Sequence, residues 1–140
     1  MTKVLMCLSL TALVSCAGCR FAGNPEAEAA AVSAAESWLA LVDGGSYAES
    51  WDEAAQFFRG AVPKEQWVKT MQSVRKPFGN NLARKLKGKR HRTSLPGAPD
   101  GEYVVIQFKA SFENKKSAIE TVTPMKDPDG RWRVSGYYIR

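Results

Sequence analysis

Apolar residues follow two different periods along this chain, and the change near residue 80 divides a helical part from a stranded part. From about Glu26 to Val42 the positions Ala31, Ala34, Ala35, Trp38, Leu41 and Val42 recur three, four and seven apart. That spacing places them on one face of an amphipathic helix. Gly44-Gly45 ends the helix where the backbone needs left-handed angles. Ser46 and Glu49 predict a capping box opening a second helix, with Tyr47, Trp51, Ala54 and Phe58 on one stripe. Pro63 suits the first turn of a third helix, whose stripe is Trp67, Met71, Val74 and Phe78 and which ends near Pro77 and Gly79.

Beyond that point the period becomes two. Leu82 to Leu95 supplies a first strand, and the Pro96-Gly97-Ala98-Pro99-Asp100-Gly101 turn follows. Glu102 to Phe112 puts Val104, Ile106, Phe108, Ala110 and Phe112 on one face and Val105, Gln107, Lys109 and Ser111 on the other. Asn114-Lys115 reads as a hairpin turn into a strand over 117–126, and Asp127-Pro128-Asp129-Gly130 as a turn into a last strand over 131–139. Trp132, Val134 and Tyr138 share a face of that strand, and Gly136 marks a bend or bulge. Pro124 has no N–H to give a ladder, so its strand must be an edge or be bulged there. Three helices followed by a four-stranded antiparallel meander define an α+β domain with helices on one sheet face.

At 140 residues the chain holds one such domain, assigned here to residues 30–140. The 44% hydrophobic and 24% charged content is that of a folded protein and excludes wholesale disorder. Lys3 and the apolar run Val4 to Val14 form a signal peptide over 1–15, too short for a membrane-spanning helix. Leu13-Val14-Ser15-Cys16 resembles a bacterial lipobox, which implies a diacylglycerol on Cys16, a tether over 16–29 and a membrane-anchored lipoprotein facing the periplasm or cell exterior. Cleavage after Ala17, giving a soluble periplasmic protein, and use of Cys19 are the alternatives. No cysteine follows Cys19, so the folded domain has no disulfide and rests on its core.

Four ordered segments carry a further resemblance. They are Ala34-Ala35-Glu36-Ser37-Trp38-Leu39, Tyr47-Ala48-Glu49-Ser50-Trp51-Asp52, the run from Thr93 to Tyr103, and Asp129-Gly130-Arg131-Trp132-Arg133-Val134 with Gly136-Tyr137. Together they resemble a bacterial family catalogued as domain of unknown function number 4019, over about residues 30–140. The resemblance implies a nuclear-transport-factor-2-like (cystatin-like) fold, a curved sheet wrapping helices into a cone, and no assigned activity. Pro63, where a Ser or Thr cap is expected, and Pro124, where an aliphatic residue is expected, depart from the pattern.

The candidate chemistry is sparse. Trp38, Trp51, Phe58, Trp67, Phe108 and Tyr138 either line a cone that takes a small apolar ligand or are simply core. Glu120 is in phase with Ala118 and Val122 and so points inward, where it needs Tyr103, Tyr138 or an arginine as partner. A buried carboxylate beside a tyrosine is also how this fold class builds acid–base enzymes, which makes an enzyme the alternative to a binding or purely structural role. Asp43 and Asp52, at helix ends, read as caps or dipole partners.

The net charge of +6 is unevenly distributed. Between Phe21 and Phe58 there is no Lys or Arg, whereas Arg84, Lys85, Lys87, Lys89, Arg90 and Arg92 crowd the first strand. On an exported protein that basic face points to anionic lipid, cell-wall polymer or an acidic partner rather than nucleic acid, since no aromatics interleave it. The competing reading is a solvated strand that blunts an edge. His91, between two arginines, reads as an exposed strand residue. Three cysteines and one histidine leave almost no material for a zinc or iron–sulfur site, and no metal-ligand spacing, phosphate loop or nucleophile elbow occurs, so no metal or cofactor is expected. Partners are therefore the membrane through the lipid, an anionic envelope component or a small apolar ligand, and a second copy in a homodimer.

Overall fold

The computed structural model describes residues 23–140. The segment expected to be a signal peptide, Cys16 and the first part of the expected tether lie outside the described residues. Helix α1 (Pro25–Asp43) starts within the expected tether, with Pro25 in its first turn and Asn24 Oδ1 accepting from Ala27 N. Its buried stripe is Ala27, Ala31, Ala35, Trp38, Leu39 and Val42. Leu39 replaces Leu41 in the core, because the stripe that meets the sheet is rotated by part of a turn. Gly45 closes the helix at φ +76, and Ser46 N reaches back to Leu41 O.

The predicted second helix is two helices, α2 (Tyr47–Asp52) and α3 (Gln56–Ala61). The break falls at Ala54 and Ala55, both fully buried. Tertiary partners take the amides that a continuous helix would use: Ala55 N donates to Val134 O at 2.8 Å and Gln56 N to Asp127 Oδ2 at 3.3 Å. Ser46 occupies the N-cap of α2 but makes no side-chain cap bond, so the capping box does not form. Helix α4 (Lys64–Val74) buries Trp67 and Met71. Its stripe continues to Arg75 instead of Val74, which is 44% exposed. A single 3-10 turn (Lys76–Phe78) follows.

Strands β1 (Asn81–Arg92), β2 (Tyr103–Phe112), β3 (Lys115–Lys126) and β4 (Trp132–Ile139) form one antiparallel sheet in the order β1-β2-β3-β4. The alternation of β2 is as read from the sequence, with Val104, Ile106, Phe108, Ala110 and Phe112 all buried. The β2–β3 turn sits at Glu113-Asn114, one residue earlier than expected. It is pinned to the turn after α4, where Asn114 N bonds Phe78 O and Glu113 N bonds Asn80 O. Gly79 lies between them at φ +76, and a Cβ there would come 2.7 Å from Glu113 Oε2.

Two irregularities matter for the site. In β1, register shifts at Leu82 and Lys87 change which residues share a face. In β4, Thr123 pairs with Gly136 while Pro124 pairs with Val134, leaving Ser135 as an extra residue. Pro124 is thus in an interior strand at a bulge. It has no N–H to offer Val134, whose carbonyl accepts from Ala55 N, and Ser135 Oγ donates to Thr123 O at 2.7 Å. The bulge turns Tyr137 and Ile139 toward the helices and Tyr138 away.

All four strands contact α1. The main core joins Ala31, Ala35, Trp38, Leu39 and Val42 of α1 to Tyr47, Trp67 and Met71 and to Val104, Ile106, Phe108, Val122 and Val134 of the sheet. Among the described residues every buried hydrophobic side chain lies between Ala27 and Ile139, so a chain beginning at Arg20 retains all of them.

Candidate functional site

The feature that most needs explaining is a polar network between the helix layer and the sheet. Asp43 ends α1, Arg75 follows α4, and Arg84, Glu120 and Tyr137 come from β1, β3 and β4. Glu120 is fully buried. Arg84 Nε donates to its Oε1 at 2.7 Å, and the Tyr137 hydroxyl donates to its Oε2 at 2.6 Å. Arg84 also holds Asp43 through both terminal nitrogens, at 2.7 and 2.9 Å, a bidentate pair. Arg75 Nη2 adds a third bond to Asp43 at 2.9 Å, and its Nη1 donates to Gly79 O at 2.8 Å. The Arg75 guanidinium lies over the Phe112 ring, 4.3 Å from its centroid.

The arrangement is charge-balanced: two guanidiniums face two carboxylates. Partial burial works against the charge on Asp43, but the bonds from Arg84 and Arg75 outweigh it and hold the carboxyl below the usual carboxylate range. Burial, then the Glu120 charge and the bond to it, push the Tyr137 phenol far above its ordinary value. Tyr137 is therefore a hydrogen-bond donor and not a base at neutral pH. Both oxygens of Glu120 are engaged by donors from within the domain. The inward phase of Glu120 was legible in the sequence, whereas an unnamed arginine was only one of three partners it offered. Tyr137 was missed in favour of Tyr138, because the bulge beside Gly136 inverts the phase. Arg75 was missed because a cation at the end of an apolar stripe reads as a surface residue, and Arg84 is removed from the basic face by the same network.

The aromatic residues fill the space between helices and sheet. Trp38 lies 6.0 Å from Trp67 and 5.4 Å from Tyr137, and Phe58 meets Trp67 edge-on at 5.1 Å. Their polar handles are satisfied internally. Trp38 Nε1 donates to Ser50 O at 2.8 Å, Trp67 Nε1 to Ser50 Oγ at 3.0 Å, and Trp51 Nε1 to Val62 O at 2.7 Å. Trp51 is only half-buried, between Arg59 and Lys64. Phe108 is buried on the sheet. Tyr138, expected inside, is 60% exposed on the opposite face. A groove of about 660 Å³ opens between α1 and the start of β4, reaching the core residues Trp38 and Val134 and flanked by Glu49, Glu53, Arg131 and Arg133.

The basic segment is the edge strand β1. Strand pairing puts Lys85 and Arg90 opposite Lys109 and Val105, on the side away from the helices, while Arg84, Lys89 and His91 oppose Ala110, Ile106 and Val104, and Arg92 opposes Tyr103, which is buried with Ala55 and Met125. Among the described residues, Lys85, Lys87, Arg90, Arg92 and Lys109 are exposed and no carboxylate lies within 4 Å of them. Lys89 lies 3.9 Å from Glu28. His91 is more covered than expected, with Nε2 buried 3.5 Å from Glu102 Oε1. At the Lys87 bulge a groove of about 410 Å³ is lined by Lys87, Gly88, Lys89, Arg90, Val105 and Gln107. A second, of about 540 Å³, shares Lys89 and Arg90 and runs past His91, Arg92 and Thr93 to Gly23 and Glu28. Among the described residues no three His, Cys, Asp or Glu side chains are grouped to hold a metal ion, and no helix is long and apolar enough to cross a membrane.

Helices on one face of an open four-stranded antiparallel sheet, with a neutralised polar network between them, define the class: a two-layer α+β domain. Within that class the chain belongs to the family described as "Protein of unknown function (DUF4019)", which matches residues 34–137. No curated protein and no solved structure matches it.

Proposed function

We propose that the protein is an exported, membrane-anchored module of the bacterial envelope that binds an anionic component through β1 and carries out no chemistry. The observation that carries this reading is the row of unpaired, exposed cations at Lys85, Lys87, Arg90 and Arg92, set beside two grooves on an edge strand. A row kept only for solubility needs no concavity. Cations unopposed by local carboxylates retain their full attraction for a polyanion. The satisfied indoles and the balanced network argue against both an internal apolar ligand and a proton-transferring Glu120.

The test is binding of residues 20–140 to polyphosphate. Affinity falls by at least tenfold when Lys85, Lys87, Arg90 and Arg92 are replaced by Gln, and falls steeply with ionic strength. Undiminished binding by that variant rejects the basic face. Anchoring has its own readout: intact mass from membranes shows acyl chains on Cys16, and a free N-terminus at Gly18 or beyond without acyl chains rejects it.

A further inference from the structure

We infer that the end of β1 from Lys87 to Arg92 docks on an anionic phospholipid headgroup surface, that of the membrane to which the N-terminus is tethered. This rests on the reading above, that the chain is anchored at Cys16 and that its partner is anionic. The tether geometry selects the lipid surface. Gly23 lines the same groove as Lys89, Arg90, His91, Arg92 and Thr93, so the chain enters the fold beside the basic strip. Six residues separate Cys16 from Gly23, and the seven steps between them span at most about 25 Å even when fully extended. An acylated N-terminus thus cannot carry this strip far from the headgroups.

Proximity decides the electrostatics. Charge at a surface acts within a screening length of about 8 to 10 Å at physiological salt. A tether that begins in the groove supplies the high local concentration that brings a weak basic strip into that range. The strip has the form such a surface needs. Lys87, Arg90 and Arg92 are exposed on an edge strand, and the grooves beside them are open. Long basic side chains on an open edge can spread over many phosphates, whereas a single small anion calls for a closed, convergent site. Glu28, near Lys89, is the acidic side chain in these grooves. Lys89 is therefore partly neutralised, and the surface consists chiefly of Lys87, Arg90 and Arg92.

The experiment measures co-sedimentation of the non-acylated residues 20–140 with vesicles of phosphatidylcholine, with and without phosphatidylglycerol, and in parallel with soluble polyphosphate. The chain binds only the phosphatidylglycerol vesicles among the two, and replacing Lys87, Arg90 and Arg92 by Gln weakens this by about a hundredfold, roughly fivefold per charge. Removing the same number of charges elsewhere, at Lys69, Lys76 and Lys116, changes it less than threefold. Near-ultraviolet circular dichroism confirms the fold of each variant, and Thr replacements serve where Gln perturbs it. Equal binding to both vesicle types, or equal losses from the two charge sets, overturns the inference. Binding to polyphosphate without binding to vesicles overturns the lipid surface and leaves the anionic-partner reading standing. Binding to neither overturns both.

Discussion

Glu120 shows how burial and partnership together decide what a carboxylate does. A buried acid poised for catalysis is kept from its preferred charge state, and replacing it with a neutral amide relieves the molecule. Here Arg84 and Tyr137 hold the charge, so Glu120→Gln leaves a guanidinium without one of its counter-charges. The expected outcome is a loss of about 3 kcal/mol in denaturant unfolding. Tyr137→Phe, which removes one bond to a charged group, costs about 1.5 kcal/mol. A stabilised Glu120→Gln variant would instead identify a strained, functional acid.

Asp43 supplies the pH dependence. Its folded value lies below the ordinary 3.8, so the contribution is complete above about pH 4 and is lost as pH falls through the lower folded value. Asp43→Asn is therefore less stable than the parent at neutral pH, and the gap narrows on acidification below pH 4. A gap that is constant with pH removes Asp43 from the network. The sequence revealed that Glu120 faces inward, because period two survives around Ala118 and Val122. It could not reveal Arg84, which is one of six cations in a run whose phase is shifted by a bulge.

At the scale of elements, local pattern specified type and order better than orientation. The long α1 and the alternation of β2 were legible because their apolar periods are uninterrupted. Two features failed for one reason: tertiary hydrogen bonds replaced local ones. Ala55 and Gln56 give their amides to Val134 and Asp127, which splits one expected helix into α2 and α3. Pro124 and Ser135 let β4 gain a residue, and the tyrosine that faces inward changes from Tyr138 to Tyr137. Gly136 signalled the bulge, but its consequence for phase depends on which residue is extra.

The adjacent tyrosines make this checkable. Tyr138→Ala stays within about 0.5 kcal/mol of the parent, whereas Tyr137→Ala, which removes the packing on Trp38 as well as the bond to Glu120, costs about 3 kcal/mol or more in thermal or denaturant unfolding. The reverse order of the two would place the bulge elsewhere. Gly79→Ala is expected to destabilise by about 1 kcal/mol or more, since φ +76 and the close approach of Glu113 both oppose a side chain.

At the scale of the whole molecule, the interior and the surface divide the work. The interior is occupied: indoles find partners on Ser50 and Val62, and buried Arg75 and half-buried Arg84 find theirs on Asp43 and Glu120. The surface keeps its charge, with an acidic N-terminal helical part and an edge strand of exposed cations. The charge asymmetry is legible in the sequence. Whether the aromatics enclosed a cavity was not, because the same Trp and Phe spacing serves a packed core and a lined pocket equally well. The difference lies in where the indole N–H groups point, a property of the folded chain.

The central claim is that recognition happens outside a filled core. Native against denaturing mass spectrometry on residues 20–140, purified gently after export from a bacterial host, tests it most directly. The expected result is the bare chain mass, or an integer multiple of it, under native conditions and the bare chain mass alone on denaturation. A small additional mass that is present natively and lost on denaturation would contradict it, and would show that the space between helices and sheet opens to hold a ligand.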